Sequence, residues 1–280
     1  MGRSVPGIPL ASVDLMKKHI CRLAASALWL CAVSEEGWGA APGGVTGELN
    51  TASAQFRSYV LEQTGGSLTA VRAMRDRIAA HDLPGAQREW LAARAGWESS
   101  EIVTSECFPD LDRAIDAWPD GERGFHAIEA RLFGAHSTDV LAAADELVRN
   151  LTDLEGQLRG TTLTAQSLLN GIVRLTYEVG EDKAGGGESP FSGNSLAEMG
   201  NNVTAVAAAY QKVFAPQARR KQAGASNQVS SDLGRLQRLV AVPRLSDVDQ
   251  TALREASETL TADLASLGQQ LGLEKPSFGN

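Results

Sequence analysis

The stretch AQREWLAARAGWESSEIVTSECFPDLDRAIDAWPDGERGFHAIEARLFG, residues 86–134, decides how the chain reads. Trp90, Ala93 and Trp97 recur at spacings of three and four, which places them on one side of an α-helix. That helix is expected from Pro84 to about Cys107, and Pro84 suits its first turn, where a missing N–H costs nothing. Phe108-Pro109-Asp110 reads as a break, Leu111 to Trp118 as a short further turn, and Pro119-Asp120-Gly121 as a turn signal. A further helix is expected from about Glu122 to Phe133, closed by Gly134.

Working outward, the same periodicity continues on both sides. Upstream, Phe56, Val60, Leu68, Val71, Met74 and Ile78 mark a helix that Gly65-Gly66 is expected to interrupt or kink. Asp82-Leu83-Pro84 ends it. Downstream, Ser137 is a candidate cap for a helix carrying Val140, Leu141, Leu147, Leu151, Leu154 and Leu158. Thr161 to Val179 predicts another, with Leu168, Leu169, Ile172 and Leu175. Residues 180–193 (GEDKAGGGESPFSG) form the longest polar, Gly-rich break beyond the N-terminal leader. Helices resume at about Ser195–Phe214 and Ser230–Val240, and the last runs from Ser246 to Leu271. Sustained period-two alternation and short fixed repeats are both missing, which argues against strands and against a solenoid. The reading is an all-α helix bundle.

The 280 residues are enough for one large domain or two small ones, and 43% of them are hydrophobic. Aromatics are only 5%, so the core must rest on Ala, Leu, Val and Ile. A net charge of −8 makes the chain a poor general binder of nucleic acid or anionic lipid, so no nucleic-acid partner is expected.

From Met16 the chain reads MKKHICRLAASALWLCAVS. Lys17, Lys18 and Arg22 precede an apolar run, Leu23 to Val33, that is too short for a stable membrane span, and Gly39-Ala40-Ala41 offers a cleavage region. This is the pattern of a secretory signal peptide; the competing reading is a buried N-terminal helix. The expected organisation is a leader over 1–40, a flexible tether over 41–47 and a helical domain over 48–280, located in the periplasm or at the cell surface. No membrane span is expected once the signal is cleaved. Cleavage would remove Cys21 and Cys31 and leave Cys107, without an internal disulfide and best read as a buried inert thiol. Leu30 before Cys31 disfavours a lipid anchor.

The HExxH, GxSxG and P-loop signatures are missing, so common hydrolase and nucleotide chemistries have no foothold. His126 and Glu129 lie three apart on one helix face, and imidazole with carboxylate suits iron, zinc, copper or manganese. A packing histidine is the alternative. His136 and Asp139 share the spacing, but capping around Ser137 explains them more simply. Glu98 and Glu101 form a second pair, and Glu98 follows Trp97 on the core side. A buried carboxylate needs a partner, which a metal or an arginine such as Arg94 or Arg131 would supply. A solvated helix face is the competing reading for this acidic pair.

These residues resemble the imelysin-like family, most closely its EfeO/EfeM branch of envelope iron-uptake proteins. The resemblance rests on Trp97-Glu98, Glu101, the F-P-D-L-D-R-A-I-D-A run from Phe108 to Ala117, and G-F-H-A-I-E-A-R-L-F from Gly124 to Phe133. It continues more weakly through Glu178, Lys183, Glu188, Ser192, Leu196, Glu198 and Asn202, but Gly193 stands where a histidine is usual and Ser195 where an aspartate is usual. The resemblance implies two four-helix bundles and a metal site of His126, Glu129, Glu98 and Glu101, with Asp116 as a fifth ligand. It also implies iron, Fe²⁺ or Fe³⁺, as cargo, although zinc or copper would fit the same ligands. The implied partners are a membrane iron permease and a haem peroxidase-like protein, and the chain is closer to the short EfeM-like form. A non-enzymatic carrier is therefore expected. A metallopeptidase-like enzyme and a metal-bridged polysaccharide- or partner-binding bundle are the alternatives.

Overall fold

The computed structural model describes residues 44–116, 123–181 and 183–276. The leader, its cleavage region and the 119–121 turn signal lie outside the described residues. The described residues are helical throughout, without strands: α1 (Val45–Ala79), α2 (Leu83–Cys107), α3 (Pro109–Ile115), α4 (Gly124–Glu129), α5 (Leu141–Gly160), α6 (Ala165–Glu181), α7 (Ser195–Ala209), α8 (Ala215–Lys221), α9 (Ala223–Val240) and α10 (Gln250–Gln270). π-helical turns follow α4 at Ala130–Gly134 and α7 at Tyr210–Phe214, and a 3₁₀ turn spans Leu245–Asp247.

Two groups of helices meet at α2. On one side α1 and α4 pack against it, with α5 laid on α1 and α4; on the other α6, α7, α9 and α10 form the second group, with α6 and α7 against α2. The long helix is thus covered on opposite flanks, and Trp90, Trp97, Ile102 and Val103 are buried along it. Gly171 of α6 makes the junction close. A β-carbon there would stand 1.8 Å from the Ile102 carbonyl oxygen, so a larger residue would drive α6 off α2. Gly124 takes φ +61° beside the Ile115 carbonyl, a turn that only glycine enters without strain, and it aims α4 back onto α2.

Several sequence expectations need correction. Gly65-Gly66 does not interrupt α1, because the buried stripe Val60, Thr64, Ser67, Leu68 and Val71 outweighs a propensity loss of about 1 kcal/mol per glycine. The expected tether over 41–47 is helical from Val45, with Gly47 and Leu49 already buried. Ser137 caps no helix: its Oγ accepts from the Asp139 N–H at 3.0 Å within a turn, and α5 starts at Leu141. Only Phe108 breaks the backbone between α2 and α3, since Pro109 opens the next helix.

The downstream boundaries shift for similar reasons. Helix α9 begins at Ala223 rather than Ser230, because Ala223 to Ser226 carry no large apolar residue to signal it, while Tyr210 Oη bonds the Ser226 carbonyl at 2.9 Å. The last helix starts at Gln250, not Ser246; Asp249 accepts from the Ala252 N–H and sets its N-terminus. Cys107 is half-buried rather than buried. In contrast, Pro84 lies in the first turn of α2, as the sequence indicates, and the Asp82 side chain caps that helix.

Candidate metal centre

One stripe of α2 builds the floor of the site. Trp90, Arg94, Trp97, Glu98 and Glu101 follow at spacings that keep them on a single face, and all five are buried. The solvated-face reading of Glu98 and Glu101 is therefore wrong; they are 0% and 8% exposed. Arg94, not Arg131, is the arginine that meets Glu98. It is fully buried and pairs with Glu98, with Asp116, with Glu198 at 2.8 Å and with Glu188 at 3.5 Å. Its guanidinium lies over the Trp90 and Phe125 rings, 5.8 and 5.2 Å from their centroids.

Helices α3 and α4 supply the wall. Asp116 follows α3 and accepts from Trp97 Nε1 at 3.1 Å. His126 sits between two carboxylates, with Nε2 3.5 Å from Asp116 Oδ2 and Nδ1 3.6 Å from Glu129 Oε2. The π-turn directly after Glu129 is of the kind often found where a helix serves a site.

The lid is a strap, residues 183–194, most of it in the Gly-rich stretch, 180–193, read from sequence as a polar break. Lys183 Nζ reaches Glu98 at 2.8 Å, Glu101 at 3.0 Å and Glu188 at 2.9 Å. Asn202 of α7 donates to Glu98 and Glu101 at 2.9 and 3.1 Å. Glu129 pins the strap from below: its Oε1 accepts from the N–H groups of Phe191 and Ser192 at 3.2 and 2.8 Å and from Ser192 Oγ at 2.7 Å. Ser195 clips the strap through Ser189 N–H and the Gly186 carbonyl, each at 3.1 Å. Gly193 is exposed on the strap's turn.

Ligand atoms therefore converge in two sets that share Glu188. Asp116, His126 and Glu188 form one, and Glu98, Glu101 and Glu188 the other, each with its atoms within 4.8 Å of one another. Four of the five residues expected from sequence fall in these sets. Glu129 is the exception, since the strap and His126 engage its two oxygens. Glu188 was missed. Its only sequence signal is its register in the weaker half of the family resemblance, on a segment with no periodicity. A cleft of about 320 Å³, lined by Glu101, Asp112, Asp116, Arg174, Lys183 and Glu188 among others, leads to this place.

Burial governs the electrostatics. It pushes Glu98 and Glu188 up to about 8 and Glu101 and Asp112 to about 7, against the pull of nearby cations or, at Asp112, of the Thr104 hydroxyl. Burial works against the His126 charge too, but the Asp116 hydrogen bond and charge, then Glu129, overcome it and push the ring up to about 9. Burial would likewise raise Asp116 and Glu198, yet Arg94 beside both outweighs it and holds them below the usual carboxylate range.

The stability of the metal-free protein follows from these directions. Glu98, Glu101 and Glu188 have folded values above their ordinary 4.5, so their contribution is present below 4.5 and is lost as pH rises through about 7 to 8. His126, raised from 6.5, loses its contribution as pH rises through about 9. Asp116 and Glu198 act oppositely, but only as pH falls below their ordinary values of 3.8 and 4.5. The melting temperature without metal is expected to fall steadily from pH 6 to pH 9, by more than about 5 °C. A flat profile by circular dichroism would show that the cluster stays fully ionised.

Glu129→Ala gives a second expected result. The strap loses three hydrogen bonds, at a cost of about 1–3 kcal/mol. Amide hydrogen exchange at Phe191 and Ser192 should speed up by about tenfold or more, while the α1 and α6 core amides keep their rates. Unchanged exchange at those two amides would mean that the strap is held elsewhere.

The profile of the imelysin family, Peptidase M75, matches residues 52–123 and 122–271. The chain is 27% identical over 249 residues to the iron uptake system component EfeO of Escherichia coli (strain K12), covering 81% of this chain and 65% of EfeO. It is 26% identical over 239 residues to the iron uptake system component EfeM of Pseudomonas syringae pv. syringae, covering 78% and 83%. The chain thus spans about two thirds of the length of the EfeO relatives it matches. Its fold is similar to that of a crystal structure described as an iron-regulated protein A precursor from Parabacteroides distasonis, with a TM-score of 0.66, 16% identity, and coverage of 84% of this chain and 97% of that one.

Proposed function

The chain belongs to the imelysin family, and from that premise we propose that it is an exported carrier that captures iron in the α2–strap site and delivers it to a membrane permease. The observation that carries the reading is the convergence of Glu98, Glu101 and Glu188, all buried, on one point that holds a cation, the Lys183 ammonium. Buried carboxylates are expensive unless a positive charge meets them, so a fold that keeps three together is a fold that binds cations. His126 and Asp116 on the far side of Glu188 add a borderline nitrogen and a further oxygen, a donor set suited to iron in either oxidation state.

Iron, rather than another metal, is supported by the names of the relatives, EfeO and EfeM, both iron uptake system components. Export is supported by the leader pattern from Met16, and no described helix is long and apolar enough to cross a membrane. A permease, with a haem peroxidase-like protein, is the partner that such a system implies. Carriage is favoured over hydrolysis by the same relatives, although the family also bears a peptidase name.

Ligand protonation gives the carrier a means of release. Carboxylates that bind protons near neutrality lose a metal as pH falls, because metal and proton compete for the same oxygens. The test is calorimetric titration of the purified protein with Fe²⁺ (anaerobically), Fe³⁺ as a soluble chelate, Zn²⁺ and Cu²⁺, beside His126→Ala. Saturable iron binding with release of protons, weakened in His126→Ala, is expected. Absence of binding of any of the four ions would overturn the reading.

A further inference from the structure

Lys183 lies where a captured ion would lie. Its side chain is 7% exposed, and its three ammonium protons match three carboxylate oxygens, on Glu98, Glu101 and Glu188, at 2.8 to 3.0 Å. Those carboxylates form one of the two ligand sets of the site. A metal ion bound to the same oxygens would need the lone pairs that Lys183 now uses, and two cations a few ångströms apart in a buried place repel strongly. The site therefore cannot hold both in this arrangement.

The surroundings give the lysine somewhere to go. Lys183 stands at the head of the strap, two residues beyond the end of α6, and Gly185, Gly186 and Gly187 follow it closely. Its side chain also lines the 320 Å³ cleft. Glu188, on the same strap, has one oxygen bonded to Lys183 and the other, Oε2, buried without a hydrogen-bond partner. An unsatisfied buried carboxylate oxygen is costly, and it marks acceptor capacity that the ammonium does not fill.

We propose that Lys183 is a built-in competing cation: an incoming metal ion displaces its ammonium from Glu98, Glu101 and Glu188 into the cleft, and the ammonium returns when the metal leaves. The inference rests on the cation-capture reading and deepens it. The lysine keeps the empty site neutralised and folded, and it holds metal affinity below what the carboxylates alone would give. Exchangeable binding of this kind suits a carrier that must hand its cargo on.

The experiment compares wild type with Lys183→Met by anaerobic Fe²⁺ titration and by thermal melts with and without Fe²⁺. Lys183→Met is expected to bind Fe²⁺ about tenfold more tightly or better. It is also expected to melt lower than wild type without metal and to gain more from adding it. Binding by Lys183→Met but not by wild type would show that Fe²⁺ cannot displace the ammonium, and would overturn the proposal. Equal or weaker binding by Lys183→Met, with wild type binding normally, would overturn it and leave the carrier reading standing. Failure of both proteins to bind would overturn both. Should Lys183→Met fold only with Fe²⁺ present, that dependence itself supports the proposal. Lys183→Gln, which keeps a neutral donor for the carboxylates, then supplies the affinity comparison, with tighter binding again expected.

Discussion

Glu188→Gln should lower the affinity for iron by about a hundredfold or more, equivalent to about 2.7 kcal/mol, while the protein stays folded. Glu188 is the one residue common to both ligand sets, so its loss weakens an ion bound in either. The change removes a charge but keeps the shape and an acceptor oxygen for Lys183, which spares the fold. Lys183 also loses one of its three carboxylate partners, so the ammonium is held less tightly, yet this smaller gain cannot restore the missing ligand. Calorimetry beside circular dichroism checks the result. Affinity within threefold of wild type would mean that the metal is held without Glu188, and the site would have to be redrawn around His126 and Glu129.

Arg94→Met should be the most destabilising single change in the cluster. Arg94 is the shared counter-ion of Glu98, Asp116, Glu188 and Glu198, and its guanidinium is fully buried between them. Methionine fills much of the volume and keeps contact with the Trp90 and Phe125 rings, so the loss is electrostatic. Breaking one side of a buried ion pair costs about 3–5 kcal/mol, which for a chain of this size is a fall of about 6–20 °C in Tm. The fall should be smaller at pH 6 than at pH 9, because Glu98 and Glu188, pushed up to about 8, are protonated at the lower pH and no longer need the counter-ion. A half-exposed pair supplies the control: Arg75→Ala, which removes the partner of Asp145, should cost less than about 1 kcal/mol. Equal losses from the two changes would show that the cluster is not held by charge.

Both predictions concern residues that the sequence marks unevenly. Arg94 is legible as the partner of Glu98, because they lie four apart on one helix and a core-facing carboxylate requires a cation. Glu188 and Lys183 are not legible in that way. They sit on a Gly-rich segment with no period, more than 80 residues along the chain from Glu98 and Glu101. Glu129 shows the reverse case. Its spacing from His126 reads as a ligand pair, yet its oxygens turn to the strap and to His126, a role that needs the strap's position to be known.

What is local is legible from residue order: an all-α chain, the buried stripe of α2, and the placing of Glu98, Glu101 and His126 on helix faces. Helical order is set by contacts three and four residues apart, so periodicity reports it directly. Where glycines met a continuous stripe, as at Gly65-Gly66, burial overrode the local signal. Only the tertiary structure decided that Lys183 and Glu188 close the site, that Arg94 neutralises four carboxylates, and that Glu129 holds the strap. Those are contacts between distant segments, fixed by how α6 and α7 dock on α2, and the strap between those two helices is carried to the carboxylates by that docking alone.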